Sequence, residues 1–142
     1  MKKTTLITGA GRGIGLEIAK IFASKNENLI LTIRKKSQKK IIENLMKKYN
    51  SKFEIFIGDL NNLNFVKKIG KKVEYVTTII NNASGENQKY FTDITEKDLK
   101  EMINVNLIAN FTLTQIFVKK MIKKKIEGNV INLGSQLGKM GA

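Results

Sequence analysis

The 142-residue chain contains no cysteine, no histidine and no proline, and its 26 basic residues include only two arginines, Arg12 and Arg34. Without cysteine there is neither a disulfide nor a thiolate metal site. Without histidine the commonest metal ligand and the commonest general base are both missing. No metal site is therefore expected, and acid–base work falls to Tyr, Lys, Asp or Glu. No proline, low-complexity tract or internal repeat marks a boundary, so residues 1–142 are expected to form one domain. No apolar run approaches the ~18 residues of a membrane span. Met1, Lys2 and Lys3 could open a signal peptide, but the apolar stretch behind them is broken at once by Gly9 to Gly15 and Arg12, which argues against one. No membrane partner and a cytoplasmic location are expected.

Acidic residues are also scarce, 12 against 26 basic, for a net charge of +14. Such a charge invites a polyanion-binding reading. The basic residues are nearly all lysine, however, and they are scattered over several segments. A solvated lysine surface is the simpler expectation, with no nucleic-acid partner, and it still attracts small anionic ligands. The apolar share, 42%, is ordinary for a globular protein.

What is present is an alternation of apolar runs and amphipathic segments. Strands are expected at Lys2–Thr8, Leu29–Ile33, Phe53–Ile57, Val76–Asn81 and Asn129–Leu133. Helices are expected at Gly13–Lys25, Ser37–Tyr49 and Leu63–Ile69, the last ending at Gly70. Thr95 to Asp98 has capping-box spacing and should start a helix carrying Leu99, Met102 and Ile103. A long helix is expected over Leu107–Ile126. The order βαβαβαβααβ implies a doubly wound parallel sheet with helices on both faces, a Rossmann-type α/β fold. The long helix is apolar almost all round, so one face can pack on the sheet while the other needs a second partner.

The stretch TLITGAGRGIG places Gly9, Gly11, Gly13 and Gly15 where the first strand meets the first helix. Glycine permits a tight turn and a close approach of backbone to a pyrophosphate, and the helix N-terminus offers free N–H groups to its phosphates. The position, at the first strand–helix junction of an α/β pattern, is what gives the string weight.

Its spacing is TGxxxGxG, which resembles the glycine motif of the short-chain dehydrogenase/reductase family. Four further stretches resemble that family in register: GDLNN (58–62), NNASG (81–85), NVNLIANFTLTQ (104–115) and GNVINLGSQLG (128–138). The resemblance covers essentially the whole chain. It implies that Gly9, Gly13, Ile14 and Gly15 hold the cofactor's phosphates, Asp59 and Leu60 the adenine, and that Asn82 and Ala83 line the cofactor. Read from the residue alone, Asp59 could equally close an Asx-turn. Ser84 stands where the family usually has glycine. Asn106 matches the catalytic asparagine, whose backbone carbonyl holds a water in the proton relay, although a purely structural helix-kink role is open. Ser135 matches the serine that orients the substrate carbonyl.

Family members that prefer NAD carry an acid at the end of the second strand. Here Ile33 stands there, followed by Arg34, and Arg12 precedes Gly13. Two guanidinium groups can grip a ribose 2′-phosphate with forked, charge-assisted hydrogen bonds, so NADP(H) is the expected cofactor.

The family's chemistry also needs YxxxK. Four residues after Tyr49, Tyr75 and Tyr90 stand Phe53, Ile79 and Ile94, so the motif is absent. The expectation is the N-terminal, cofactor-binding part of an NADP(H)-dependent oxidoreductase acting on a small carbonyl or alcohol, truncated at its C-terminal end, with homo-oligomers through residues 107–126. The alternative is a catalytically inactive nucleotide-binding module. As it stands the fifth strand should be an unprotected sheet edge, prone to association.

Overall fold

The computed structural model describes residues 2–140, the side chain of Leu137 excepted. In chain order the regular elements are β1 (Thr4–Ile7), α1 (Gly13–Ser24), β2 (Asn28–Ile33), α2 (Gln38–Met46), β3 (Phe53–Ile57), α3 (Leu63–Lys72), β4 (Thr78–Asn81), α4 (Glu96–Ile103), α5 (Asn110–Lys124), β5 (Asn129–Asn132) and α6 (Leu137–Met140). The strands form one parallel sheet in the order β3-β2-β1-β4-β5. The chain winds outward from β1 to β3, then returns to the other side of β1 to lay down β4 and β5. The expected doubly wound Rossmann-type sheet is therefore present, and its direction reverses between β1 and β4.

The pleat sends alternate side chains to opposite faces, and the sequence keeps both faces apolar. Leu6, Ile30, Phe56 and Ile79 meet Val66 and Ile69 of α3 and Leu113, Phe117 and Met121 of α5. Ile7, Leu29, Leu31, Ile33 and Ile80 meet Ala19 and Ala23 of α1 and Ile42 and Met46 of α2. Each such large side chain, fully buried, contributes ~1.5–3 kcal/mol.

Several expected boundaries move, for identifiable reasons. β4 begins at Thr78 rather than Val76 because the Thr4 N–H is taken by the Thr77 hydroxyl, 2.9 Å away, ahead of the regular ladder. Gly70 does not end α3; the helix runs on to Lys72. Its missing Cβ is instead room for α5, since a Cβ there would lie 2.7 Å from Ile116 Cγ2. The end of α3 is closed by Lys120 of α5, whose ammonium donates to the carbonyls of Gly70 and Val73, both at 2.6 Å. Its burial between the two helices lowers the Lys120 pKa.

The long helix is also revised. α4 passes without a break into a wide π-type turn at Asn104–Ala109, and the α-helix proper begins only at Asn110. It stops at Lys124 because Lys125 turns left-handed, with φ 53°. The Ile126 N–H then reaches the Met121 carbonyl at 2.9 Å and the Lys125 N–H reaches that of Ile122 at 3.1 Å. This closes a Schellman motif on a lysine instead of a glycine.

The capping box at the start of α4 forms as its spacing requires: the Thr95 hydroxyl accepts from the Asp98 N–H and the Asp98 carboxylate accepts from the Thr95 N–H. Lys89, 2.6 Å from the same carboxylate, and the Thr95 donors hold Asp98 well below the usual carboxylate range. The predicted apolar face of α4 is left uncovered, with Leu99 and Ile103 exposed, and it is continuous in the chain with Leu107 and Phe111, 64% and 63% exposed. All four residues of β5 are exposed at the sheet edge.

Candidate functional site: a glycine loop locked at the switch point

In a parallel sheet all strands end on the same side. The loops after β1, β2, β3, β4 and β5 therefore gather at one edge, and they carry Gly9–Gly15, Arg34, Asp59, Asn82–Ala83 and Ser135 respectively. The crevice lies between β1 and β4, where the winding direction reverses.

Thr8, fully buried at the end of β1, organises this crevice. Its hydroxyl accepts the N–H groups of Asn82 at 3.0 Å and Ala83 at 2.9 Å. The Asn82 side chain returns the contact, donating to the carbonyls of Thr8 at 2.8 Å and Gly9 at 3.3 Å. On the opposite flank Thr32 of β2 takes the Gly9 N–H on its hydroxyl at 3.2 Å and the Ala10 N–H on its carbonyl at 2.9 Å. The first turn of the loop is thus fixed from both neighbouring strands.

The glycines make this geometry possible. Gly9 has φ +68°, in the left-handed region, and a Cβ on it would lie 3.0 Å from the Ala83 Cα. A Cβ on Gly15 would lie 2.4 Å from Asn82 Nδ2 and 2.5 Å from the Gly9 carbonyl oxygen. Around Gly13, by contrast, a Cβ would meet nothing within 4 Å, so the backbone there faces open space. α1 begins at this point behind an extended Arg12, with no side chain capping its first turn and no acid within it. The N-termini of α3 and α4 are capped by Asn62 and by Thr95 with Asp98. The first N–H groups of α1 are left for an outside acceptor, which fits the phosphates of a dinucleotide.

Arg12 and Arg34 are both exposed, on the glycine loop and the β2–α2 loop. Ile33, beside Arg34, is 2% exposed and offers nothing to a ribose hydroxyl. Between the two loops lies Gln38, which gave no signal in the sequence. Its amide donates to the Gly11 carbonyl at 3.3 Å and accepts the Lys35 N–H at 3.2 Å. Asp59 closes an Asx-turn, accepting the Asn61 N–H at 2.9 Å, and keeps an exposed position, while Leu60 is buried beside it in the core. Ile14 is exposed on the outer side of α1.

The Asn106 side chain spans both backbone groups of Gly85, accepting its N–H at 2.7 Å and donating to its carbonyl at 2.9 Å. It ties the NNASG segment to the wide turn. The Asn106 backbone carbonyl receives Asn110 Nδ2 at 3.1 Å. Nearby, a cleft of about 270 Å³ is lined by Asn81, Asn106, Asn110, Phe111, Thr114 and Asn132, among others. Asn81, 4% exposed, donates there to Thr114 at 2.9 Å and Asn132 at 2.8 Å. The side-chain oxygens of Asn81 and Asn110 have no partner among the described residues. Ser135 is exposed in the segment after β5, its carbonyl accepting the Gly138 N–H at 3.1 Å. No group of acids able to hold a metal ion occurs among the described residues.

Comparison with known proteins agrees with the fold. The short chain dehydrogenase family matches residues 3–142, and the chain belongs to that family of oxidoreductases. It is 30% identical to a 3-oxoacyl-(acyl-carrier-protein) reductase of Buchnera aphidicola subsp. Schizaphis graminum, over 99% of this chain and 57% of that protein. Among solved structures, a short-chain dehydrogenase from Sphingobium yanoikuyae in complex with NADPH superposes with a TM-score of 0.88 at 25% identity, over 96% of this chain and 54% of that one. A 3-oxoacyl-(acyl-carrier-protein) reductase from Agrobacterium tumefaciens C58 with NADP bound gives 0.82 at 26% identity, over 94% and 52%. The chain thus spans little more than half the length of these relatives.

Proposed function

We propose that residues 1–142 form the single cofactor-binding domain of an NADP(H)-dependent oxidoreductase that interconverts a carbonyl and an alcohol. The observation that carries this reading is the uncapped start of α1 facing open space at Gly13, behind a glycine loop fixed by Thr8, Asn82 and Thr32. NADPH and NADP in the two related structures support the choice of cofactor.

When bound, the nicotinamide supplies or accepts the hydride. The chain's own residues position it. The backbone of Gly9, Gly13, Ile14 and Gly15 would receive the pyrophosphate. Arg12 and Arg34 would pair with the 2′-phosphate, where the buried Ile33 leaves no rival acceptor. The exposed Asp59 would meet the adenine, and Leu60, its side chain buried in the core, would do so only through its backbone. Asn82 and Ala83 would line the cofactor beside the sheet. Asn106 would hold a water at its backbone carbonyl, and Ser135 would orient the substrate carbonyl. The exposed apolar line Leu99, Ile103, Leu107 and Phe111 supports a homo-oligomer through this part of the molecule. No helix among the described residues is long and apolar enough to cross a membrane, and we assign the protein to the cytoplasm.

The second reading, a nucleotide-binding module without turnover, is favoured by one observation: no YxxxK occurs in these residues to partner Ser135 and Asn106. Calorimetric titration with NADPH and NADH, followed by a carbonyl-reduction assay, separates the possibilities. NADPH binding by residues 1–142 is expected from both, and carbonyl reduction by a longer chain that carries YxxxK selects the enzyme, whereas its absence there selects the module. Equal affinity for the two cofactors sinks the NADP(H) assignment. Binding that appears only at low salt and is shared with arbitrary DNA points to the +14 charge instead.

A further inference from the structure

We propose that Gln38 is a positioning residue that sets the preference for NADP(H) over NAD(H), an inference that rests on the cofactor reading above. The chain has two arginines, and they stand on different loops. Arg12 follows Gly11 directly, and Arg34 precedes Lys35 directly. Gln38 bonds both of those neighbours: its Nε2 donates to the Gly11 carbonyl at 3.3 Å, and its Oε1 accepts the Lys35 N–H at 3.2 Å. One amide thus bridges the two loops, each at the residue next to the arginine, across 27 positions of sequence.

A Cβ on Gly11 would lie 2.6 Å from both the nitrogen and the oxygen of the Gln38 amide, so the glycine makes room for it. Gln38 is half-buried and opens α2, whose Ser37 side chain caps nothing, so the bridge also anchors the start of that helix. Holding the two backbones at a fixed separation lowers the ordering cost of gripping one phosphate with two long guanidinium side chains. The bridge supplies that separation. It makes no bond to Gly9, Gly13 or Gly15, nor to the Thr8–Asn82 lock, and its two partners are the direct neighbours of the arginines, so its main effect should fall on the 2′-phosphate.

The test is Gln38→Met, which keeps the length and removes both hydrogen bonds, with Gln38→Glu as a second variant. Glutamate keeps the acceptor for Lys35 but loses the donor to Gly11 and adds a negative charge beside the phosphate. Binding of NADPH and of NADH is measured for the 142-residue chain, together with amide hydrogen exchange of the ligand-free protein. The expected result is an NADPH affinity lowered about tenfold in Gln38→Met and further in Gln38→Glu, the loss of one charge-assisted contact. NADH affinity should be unchanged, and the Lys35 amide should exchange faster. Equal losses for both cofactors would mean a merely structural residue and overturn the proposal. So would a preserved preference, or a Lys35 amide whose exchange does not change. A wild-type chain that binds both cofactors equally would overturn the NADP(H) reading and this proposal together, whereas the preceding outcomes overturn this proposal alone.

Discussion

Gly15→Ala separates tertiary packing from local propensity, because the two predict opposite signs. Gly15 lies in the first turn of α1 and is not among the positive-φ glycines. Replacing glycine by alanine in a helix is worth ~1 kcal/mol of added stability when nothing else intervenes. Here the new methyl would sit 2.4 Å from Asn82 Nδ2 and 2.5 Å from the Gly9 carbonyl oxygen. The Asn82 amide must withdraw, giving up its bonds to Thr8 and Gly9, and α1 must lift from the glycine loop. Two lost hydrogen bonds cost about 1–3 kcal/mol, and forcing a methyl into closed space about 1–3 more. The net expectation is a destabilisation of about 1–5 kcal/mol, read from urea unfolding, with NADPH affinity lost as the loop shifts. Adding Asn82→Ala relieves the first clash and leaves the second, so the double variant should recover part of the stability and show clear non-additivity. A Gly15→Ala chain that is more stable than the parent and binds NADPH as well would refute the packing argument outright.

Other positions test other parts of the account. Thr8→Val keeps the shape but strands the Asn82 and Ala83 N–H groups, and should cost about 2–4 kcal/mol in chemical denaturation. Lys125→Gly relieves a left-handed backbone at the end of α5 and should stabilise by about 0.5–1 kcal/mol, seen as a raised Tm. Thr95→Ala removes the cap on α4 and should cost about 1 kcal/mol by the same measurement. Asp98 has a folded-state pKa below its unfolded value, so its contribution is complete above the ordinary carboxylate range. It is lost only as pH falls below that range, and Asp98→Asn should flatten the acid limb of the stability profile.

The fold was legible because its signals are local and repeated. Phe53–Ile57 has the bounds expected from its apolar run, and the Thr95 capping box forms as its spacing requires. The glycine loop could be placed because a strand and a helix flank it. What the sequence did not carry is what depends on distant partners. Gly70 reads as a helix stop, yet it serves contact with Ile116, 46 positions on in the chain by its number. The wide turn at Asn104–Ala109 is tied down by the bonds between Asn106 and Gly85, which no periodicity announces. Gln38 looks like an ordinary polar residue at a helix start until Gly11 is brought beside it. Asn106 illustrates both at once: its motif marked it, while its structural hold on the NNASG segment appears only in three dimensions.

The most direct test of the central claim is to titrate the isotopically labelled chain with NADPH and follow its backbone amide resonances. The account predicts saturable shifts concentrated at Gly9 to Leu16, at Arg34 and Lys35, and at Asn82 and Ala83, the loops gathered where β1 and β4 diverge. Shifts spread over the lysines of α3 and α5, or no saturable shift at the glycine loop, would contradict it.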